Sequence, residues 1–296
     1  MSAWMGALLL SVSAAIGAAP RPPALVLEAS PGLEEARRRI DALGDRPFAD
    51  LVEMVGLEDG GPPIRVVLAA SDSRWADQVP SWVAGFAIGE ANLVVLFPDR
   101  SPRYPHDSLD DVLRHEVLHV LVHRAARGHP VPRWFHEGFA VAVERPWGLG
   151  DRTRLASELL FGPRLTLDQI ERLFAGNEGA VARAYSLSTA VVRVLMARYG
   201  GGAPAAVLRQ VAAGSPFDLA VSRVTGQPVV SLEREFWRQQ RAWTMWIPLA
   251  ASSTVLWLGV MGLAALAVRR QRRRAAEIRQ QWAREEQDGP AVDLDG

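Results

Sequence analysis

Two histidines four residues apart, with a glutamate beside the first, form the segment with the clearest chemical meaning. His115, Glu116 and His119 make up an HExxH motif inside an apolar run. Residues four apart on an α-helix lie on one face, about one turn along its axis. Two imidazoles at that spacing can bind one tetrahedral zinc ion, and the glutamate can take a proton from a metal-activated water. The motif therefore predicts a hydrolytic metal site with Glu116 as general base.

A third metal ligand is expected downstream, because a catalytic zinc keeps three protein ligands and one open position. The segment 132–140 reads PRWFHEGFA and contains the pattern W-x-x-E-G-x-A. Together with HExxH, it resembles the gluzincin zinc metallopeptidases, namely the peptidase MA-like domains and the aminopeptidase N-type branch. The resemblance implies one zinc ion per chain, held by His115, His119 and Glu137.

Two further residues are candidates through the same resemblance. Glu144 lies seven residues after Glu137, again on the same helical face, and could fix the tautomer of a ligand imidazole by accepting its N–H. A pair with Arg145 on a solvated face is equally open. Tyr185 corresponds to the tyrosine that stabilises the oxyanion in related enzymes, and a packing role for it in the core has equal weight.

Other zinc patterns and other histidines do not fit a metal site. A metzincin would need glycine and histidine where this chain has Val122 and Ala125. His123 lies on the same straight helix as the first two ligands, too far along it to reach a metal that they hold. The sequence therefore assigns no ligand role to His123, or to His106 and His129 in loops. His136, beside the third ligand, is not expected to bind metal either.

The chain lacks the motif with which related aminopeptidases recognise the free amino terminus of a substrate. The aminopeptidase branch carries G-x-M-E-N, whereas the segment 89–92 here reads GEAN and lacks the methionine. The missing motif therefore favours an endopeptidase, or an unclassified peptidase, over an aminopeptidase, acting on a peptide or protein substrate.

Composition limits the class of protein. The 33 basic and 33 acidic residues give a formal net charge of zero, which argues against a nucleic-acid partner because such proteins carry a basic excess. The absence of cysteine excludes disulfides, a thiol nucleophile and a thiolate metal site. All basic residues are arginine and alanine is abundant, which indicates the GC-rich codon usage of a bacterium.

Two apolar segments predict a bacterial membrane protein. Residues 1–19 end in Gly-Ala-Ala, which indicates a signal peptide or, alternatively, an uncleaved N-terminal anchor. Residues 242–268 carry no charge and are long enough to cross a bilayer core of about 30 Å as one transmembrane helix. The arginines that follow place the charged tail, 269–296, in the cytoplasm by the positive-inside rule, and the catalytic domain outside it. The basic start of this tail could contact anionic lipids or be simply solvated.

The order of elements between these segments predicts an α+β fold. Strands are expected at 24–28, 64–69, 84–88 and 92–97, the last two as a hairpin, with short helices at 33–43 and 48–55. After Ser108, which with Asp111 forms a capping box, the pattern is helical. Further helices are expected at 165–174, 180–199, 203–213, 216–224 and 230–242. Gluzincins share this order, a small sheet followed by a helical lobe, as in thermolysin-like folds. The strand 92–97 could be the edge strand that binds substrate or a central strand.

The sequence thus predicts a membrane-anchored zinc metallopeptidase whose peptidase MA-like domain covers residues 20–241. A non-catalytic metal-binding scaffold of the same fold is the alternative. The chain offers no segment from which a particular substrate follows.

Overall fold

The computed structural model describes residues 20–44, 48–100, 102–144, 146–250, 257–258 and 260–274, without the side chains of 241–250. The predicted signal peptide, 1–19, and the part of the predicted tail beyond residue 274 lie outside these residues. The chain divides into two compact units, Met1–Arg238 and Gln239–Gly296. All the candidate site residues belong to the first unit.

A small mixed sheet forms the N-terminal half of the first unit. Its strands are β1 (Leu25–Ala29), β2 (Ile64–Leu68), β3 (Gly85–Ile88) and β4 (Leu93–Leu96), arranged in the order β1-β2-β4-β3. β1, β2 and β4 are parallel, whereas β3 pairs antiparallel with β4 in the predicted hairpin. The strand predicted at 92–97 is therefore central, and β1 and β3 are the two edge strands.

Burial on both faces explains why the two central strands are almost wholly apolar. On one face, Ile64, Val66 and Val94 join the main core with the helices. On the other face, Val95 and Phe97 join a smaller cluster of buried residues, packed against Trp75, Val79 and Phe86. The outer strand β1 instead alternates between half-buried and exposed residues.

Helices account for most of the rest of the described chain. They are α1 (Glu34–Leu43), α2 (Ala49–Met54), α3 (Leu109–Ala125), α4 (Arg133–Glu144), α5 (Leu149–Phe161), α6 (Leu167–Leu173), α7 (Glu178–Tyr199), α8 (Ala203–Ala212), α9 (Phe217–Thr225) and α10 (Val229–Ala250). The α+β class and the order of strands followed by helices are confirmed. The sequence did not predict α5, and α10 extends beyond the predicted end at 242.

The HExxH helix, α3, begins as the capping pattern predicts. The hydroxyl of Ser108 accepts a hydrogen bond from the backbone N–H of Asp111 at 3.2 Å and donates one to its carboxylate at 2.8 Å. Residues on all sides of the helix are buried, including Val112, Leu118 and Val120. A helix enclosed in this way holds its two motif histidines at fixed positions.

Helices α4 and α7 pack at very short range, and Gly138 makes this possible. A Cβ atom at Gly138 would lie 2.5 Å from the carbonyl oxygen of Ser188 on α7. Real Cβ atoms do not approach that closely, so only glycine fits here. The glycine of W-x-x-E-G-x-A therefore lets α4 approach α7 and brings Glu137 and Tyr185 to one site.

One helix in the described part of the chain is long and apolar enough to cross a membrane, and it is α7 in mid-chain rather than a C-terminal helix. Its apolar window has a mean hydropathy of 1.3 and is 61% buried. α7 contacts α4, α5, α6 and α8, as the central helix of the lobe would.

The predicted span at 242–268 includes 251–256 and 259, which lie outside the described residues. Residues 260–274 are helical, and large apolar side chains there, such as Met261 and Leu263, are exposed.

Candidate metal centre

Helices α3 and α4 bring three metal-ligating side chains together. The Nε2 atoms of His115 and His119 each lie 3.2 Å from Oε2 of Glu137. All three ligating atoms lie within 4.8 Å of one another. His115 and Glu137 are buried, and the side chain of His119 is 13% exposed. The two histidines come from one face of α3, as the four-residue spacing predicts, and the glutamate comes from α4.

The donor set could hold a metal ion, and the two separations measured from Glu137 are compatible with tetrahedral zinc. Zinc binds histidine nitrogen and carboxylate oxygen at about 2.0–2.1 Å, so neighbouring ligands of a tetrahedron are about 3.3 Å apart. The 3.2 Å separations match this value. Burial alone would lower the pKa of His115, but hydrogen bonds to Glu137 and Glu144 raise it to about 10. The same negative field that favours a proton on this buried imidazole favours a metal cation.

Glu116 lies in the same cavity as the ligands. Its side chain is largely buried, and burial raises the pKa of its carboxyl above the usual value, against the lowering effect of His119 and His115. A carboxylate with a raised pKa is a better proton acceptor than an exposed one, as general-base chemistry requires. Its position beside the cluster is the one that the HExxH motif predicts.

Glu144 contacts His115 at Nδ1, the ring nitrogen that does not face Glu137. Its Oε2 lies 3.0 Å from Nδ1 of His115, and both side chains are buried. Burial tends to raise the pKa of Glu144, yet the hydrogen bonds from His106 and His115 lower it to about 2. Glu144 is therefore an acceptor for the N–H at Nδ1 of His115, which leaves Nε2 as the ring nitrogen that could bind a metal ion. Arg145, the alternative partner, lies outside the described residues.

Arg133 forms a hydrogen bond with Glu137, the third candidate ligand. Its Nε donates to Oε1 of Glu137 at 3.2 Å, one turn along α4. Its guanidinium also lies over the ring of Phe174, 4.9 Å from the centroid. With Oε1 engaged by Arg133, the carboxylate presents Oε2 to the two imidazoles. The i, i+4 spacing of Arg133 and Glu137 is a signal in the sequence that neither motif includes.

Tyr185 reaches the site from α7. It is partly buried, its ring lies 6.1 Å from that of His115, and its hydroxyl is hydrogen-bonded to Glu137. Burial raises the pKa of this hydroxyl well above its usual value, and the charges of Glu137 and Glu116 add to the effect. Tyr185 therefore remains a hydrogen-bond donor at any ordinary pH. The structure thus places it at the cluster instead of only in the core.

Two other histidines lie near the cluster. The ring of His136 lies 4.3 Å from that of His119, and burial lowers the pKa of His136 to about 3, so it stays neutral. His123 borders the same cavity and packs against Gly89. Neither belongs to a group of metal-ligating atoms within the described residues.

A cleft of about 580 Å³ opens beside the cluster. Its polar lining includes Glu116, His119, Glu137 and Tyr185, together with Arg133. Residues of the edge strand β3 and apolar side chains such as Trp82 and Phe86 also line it. Within the described residues, β3 pairs on one side only, with β4. The cleft therefore combines a metal-ligating cluster with an edge strand that has a free side.

Sequence reasoning missed the role of His106. Its Nδ1 lies 3.0 Å from Oε1 of Glu144, although 38 residues separate them in the chain. His106 precedes the cap of α3 in a loop, and no local pattern of residues indicates its partner. A contact of this kind is visible only once the fold is known.

No protein family, no curated protein and no solved structure matches this chain. The likeness to gluzincins consequently remains a resemblance of two motifs.

Proposed function

We propose that this protein is a zinc-dependent metallopeptidase of gluzincin type, anchored in the bacterial cell membrane with its catalytic domain outside the cytoplasm. It binds one zinc ion per chain through His115, His119 and Glu137. It hydrolyses internal peptide bonds of a peptide or protein substrate.

One observation carries this proposal. Three buried or nearly buried ligating atoms from α3 and α4 lie within 4.8 Å of one another, with 3.2 Å from Glu137 to each imidazole, and two of the three residues, His119 and Glu137, line an open cleft. Glu116, a buried carboxylate that is not part of the three-atom group, borders the same cleft. A purely structural zinc site is closed by four protein ligands, whereas a catalytic site has three and is open to substrate.

The chain's own residues supply the acid–base chemistry. Glu116 takes a proton from the attacking water and then passes it to the departing amine nitrogen. A bound zinc ion would lower the pKa of a water at the site toward neutrality and polarise the substrate carbonyl. Tyr185, which keeps its proton, donates a hydrogen bond to the oxygen on which negative charge develops.

Two hydrogen-bond partners keep the ligands in place during this cycle. Glu144 fixes the tautomer of His115, and Arg133 holds the carboxylate of Glu137. Because both partners are charged, these hydrogen bonds are stronger than neutral ones. The ligands therefore need no rearrangement when substrate arrives.

The edge strand β3 offers a way to bind an extended peptide. Its residues 85–87 border the cleft, and main-chain hydrogen bonds to its free side would align a substrate across the metal site. Backbone pairing is tolerant of sequence, while the apolar wall with Trp82 and Phe86 would favour an apolar side chain. The lack of G-x-M-E-N supports endopeptidase over aminopeptidase activity.

The exposed apolar side chains of 260–268 support the membrane anchor. Exposed neighbours such as Met261, Leu263 and Leu266 are costly in water and stable in lipid. The arginines at 269–274 then lie at the cytoplasmic surface. Full-length protein should resist alkaline carbonate extraction of membranes and dissolve only in detergent. Release by carbonate would contradict the anchor.

Replacement of Glu116 by glutamine tests the peptidase proposal. The full-length chain, purified in detergent, is assayed with a mixed peptide library and mass spectrometry. Wild type should cleave internal peptide bonds. Glu116→Gln should keep one zinc per chain and lose activity by a factor of about 10²–10⁴, because the general base is gone. The exposed residue Glu53 on α2 provides the matched control Glu53→Gln, which should behave as wild type.

The outcomes separate the two candidate functions. Full turnover by Glu116→Gln would remove this residue from the mechanism. One zinc per chain in a folded wild type that cleaves no peptide in the library would favour the non-catalytic scaffold. Wild type without zinc would contradict both.

A further inference from the structure

A second cluster of polar groups adjoins the metal centre, and one of its members, His106, has no part in the proposed chemistry. It consists of His106, His115 and Glu144, whose ligating atoms also lie within 4.8 Å of one another. His115 belongs to both clusters, one through each ring nitrogen. The second cluster could hold another metal ion, or it could act on the first one through hydrogen bonds.

Protonation decides between these two possibilities. A second metal at Nδ1 of His115, with the first at Nε2, would require the imidazole to lose both ring protons. The hydrogen-bonded arrangement needs only an ordinary neutral imidazole that donates through Nδ1. The 3.0 Å distance from Nδ1 of His115 to Oε2 of Glu144 is a normal length for this hydrogen bond.

Glu144 divides its two oxygens between the two histidines. Oε2 accepts from His115, and Oε1 accepts from Nδ1 of His106, also at 3.0 Å. The side chain of Glu144 is 0% exposed and that of His106 is 11% exposed. Without His106, Oε1 would be a buried carboxylate oxygen lacking this donor, and Glu144 could turn to find another.

The loop that carries His106 is fixed at both ends. The backbone N–H of His106 donates to the carbonyl of Arg103 at 3.0 Å, and Arg103 pairs with Glu178 in the first turn of α7 at 2.6 Å. Two residues after His106, Ser108 caps α3. The loop is therefore attached to α7, which carries Tyr185, and to α3, which carries His115 and His119.

We propose that His106 is a positioning residue for the metal centre: it fixes Glu144, and Glu144 in turn fixes the tautomer and ring orientation of His115. This inference rests on the proposed metal site and adds a residue outside the HExxH and W-x-x-E-G-x-A motifs. His106 acts through a hydrogen bond and binds no metal itself.

Two substitutions separate hydrogen bonding from packing. His106→Phe keeps an aromatic ring and removes the donor. His106→Asn loses the ring but places an amide N–H close to the position of Nδ1. Zinc affinity of the full-length protein is measured by competition with a chromogenic chelator, and cobalt is substituted to record the absorption bands that report ligand geometry. His129, an exposed loop histidine, supplies the control His129→Phe.

The expected pattern is specific to a positioning role. His106→Phe should bind zinc roughly 10- to 100-fold more weakly, the usual loss when a ligand's hydrogen-bond chain is broken. Its cobalt spectrum should change. His106→Asn should recover most of the affinity, and His129→Phe should match wild type at one metal per chain.

Other patterns would overturn the inference in distinct ways. Full affinity in His106→Phe, with loss in His106→Asn, would mean that the ring only packs. Two metal ions per wild-type chain, with one lost in His106→Phe, would make His106 a ligand. A folded wild type that binds no metal would instead remove the proposed function together with this inference.

Discussion

In the proposed chemistry Tyr185 donates a hydrogen bond and Glu116 accepts a proton, and burial shifts the pKa of each group in the direction that its role requires. Burial raises the pKa of the Tyr185 hydroxyl well above its usual value, which leaves this group a donor. Burial also raises the pKa of Glu116, which makes it a better base. Both groups border one cleft, so the base and the oxyanion donor can act on the same carbonyl.

Tyr185→Phe removes the donor and leaves the ring. If Tyr185 stabilises the oxyanion, kcat should fall by a factor of about 10²–10³, the usual loss for one such donor. KM and zinc content should change little, because the hydroxyl is absent from the ligand set. Tyr199 closes α7 away from the cleft, so Tyr199→Phe is the control. Steady-state kinetics of both variants decide the matter, and an unchanged kcat in Tyr185→Phe would leave this tyrosine only a packing role.

The sequence could predict those site residues that lie a whole number of helical turns apart. His115 and His119 share a face of α3 because a helix repeats every 3.6 residues, and Glu144 follows Glu137 by about two turns. His106 could not be found in this way, since its contact with Glu144 depends on how a loop returns across the fold. Arg133 was within reach of local reasoning, because it precedes Glu137 by one turn of the same helix.

At the scale of elements, the close contact of α4 and α7 decides where the ligands and Tyr185 meet. Gly138 lies at this contact, opposite the backbone of Ser188. Both helices carry site residues, Glu137 on one and Tyr185 on the other. A change in their separation would therefore move the third ligand relative to the oxyanion donor.

Gly138→Ala should separate these helices. The new Cβ would meet the Ser188 carbonyl oxygen at 2.5 Å, and overpacking of this kind costs roughly 1–3 kcal/mol of folding stability. The melting temperature and the zinc affinity should both fall. A Cβ atom at Gly201 would have no neighbour within 4 Å, so Gly201→Ala is the matched control and should melt like wild type. Equal melting of the two variants would contradict the account of this helix contact.

Element types were predictable from periodicity, but strand order was not. The four strands and most helices lie where apolar patterns predict them. The position of 92–97 at the centre of the sheet depends on its pairing with β2, across more than 20 residues of chain. α5 was not predicted because its apolar periodicity is weak. Few of its side chains are buried, and within the described structure only Asp151 and Leu155 are.

At the scale of the whole molecule, the chain combines a unit that contains the candidate metal cluster and a second unit rich in exposed apolar and arginine side chains. The zero net charge of the chain conceals this division, because the arginines of 269–274 are offset by acidic residues elsewhere. An anchored hydrolase would act on substrates that reach the extracytoplasmic face of the membrane. The proposed hydrolysis and the positioning role of His106 both require that His115, His119 and Glu137 bind a metal ion.

The most direct measurement is the zinc content and zinc affinity of the full-length protein beside Glu137→Ala, with Glu53→Ala as control. Wild type and Glu53→Ala should hold one zinc per chain. Glu137→Ala should lose the zinc or bind it more weakly by more than about 100-fold. Removal of a ligand should weaken binding more than removal of a ligand's hydrogen-bond partner, which costs roughly 10- to 100-fold in affinity. A folded wild type without zinc, or equal zinc affinity in Glu137→Ala, would contradict the three-ligand site and the peptidase built on it.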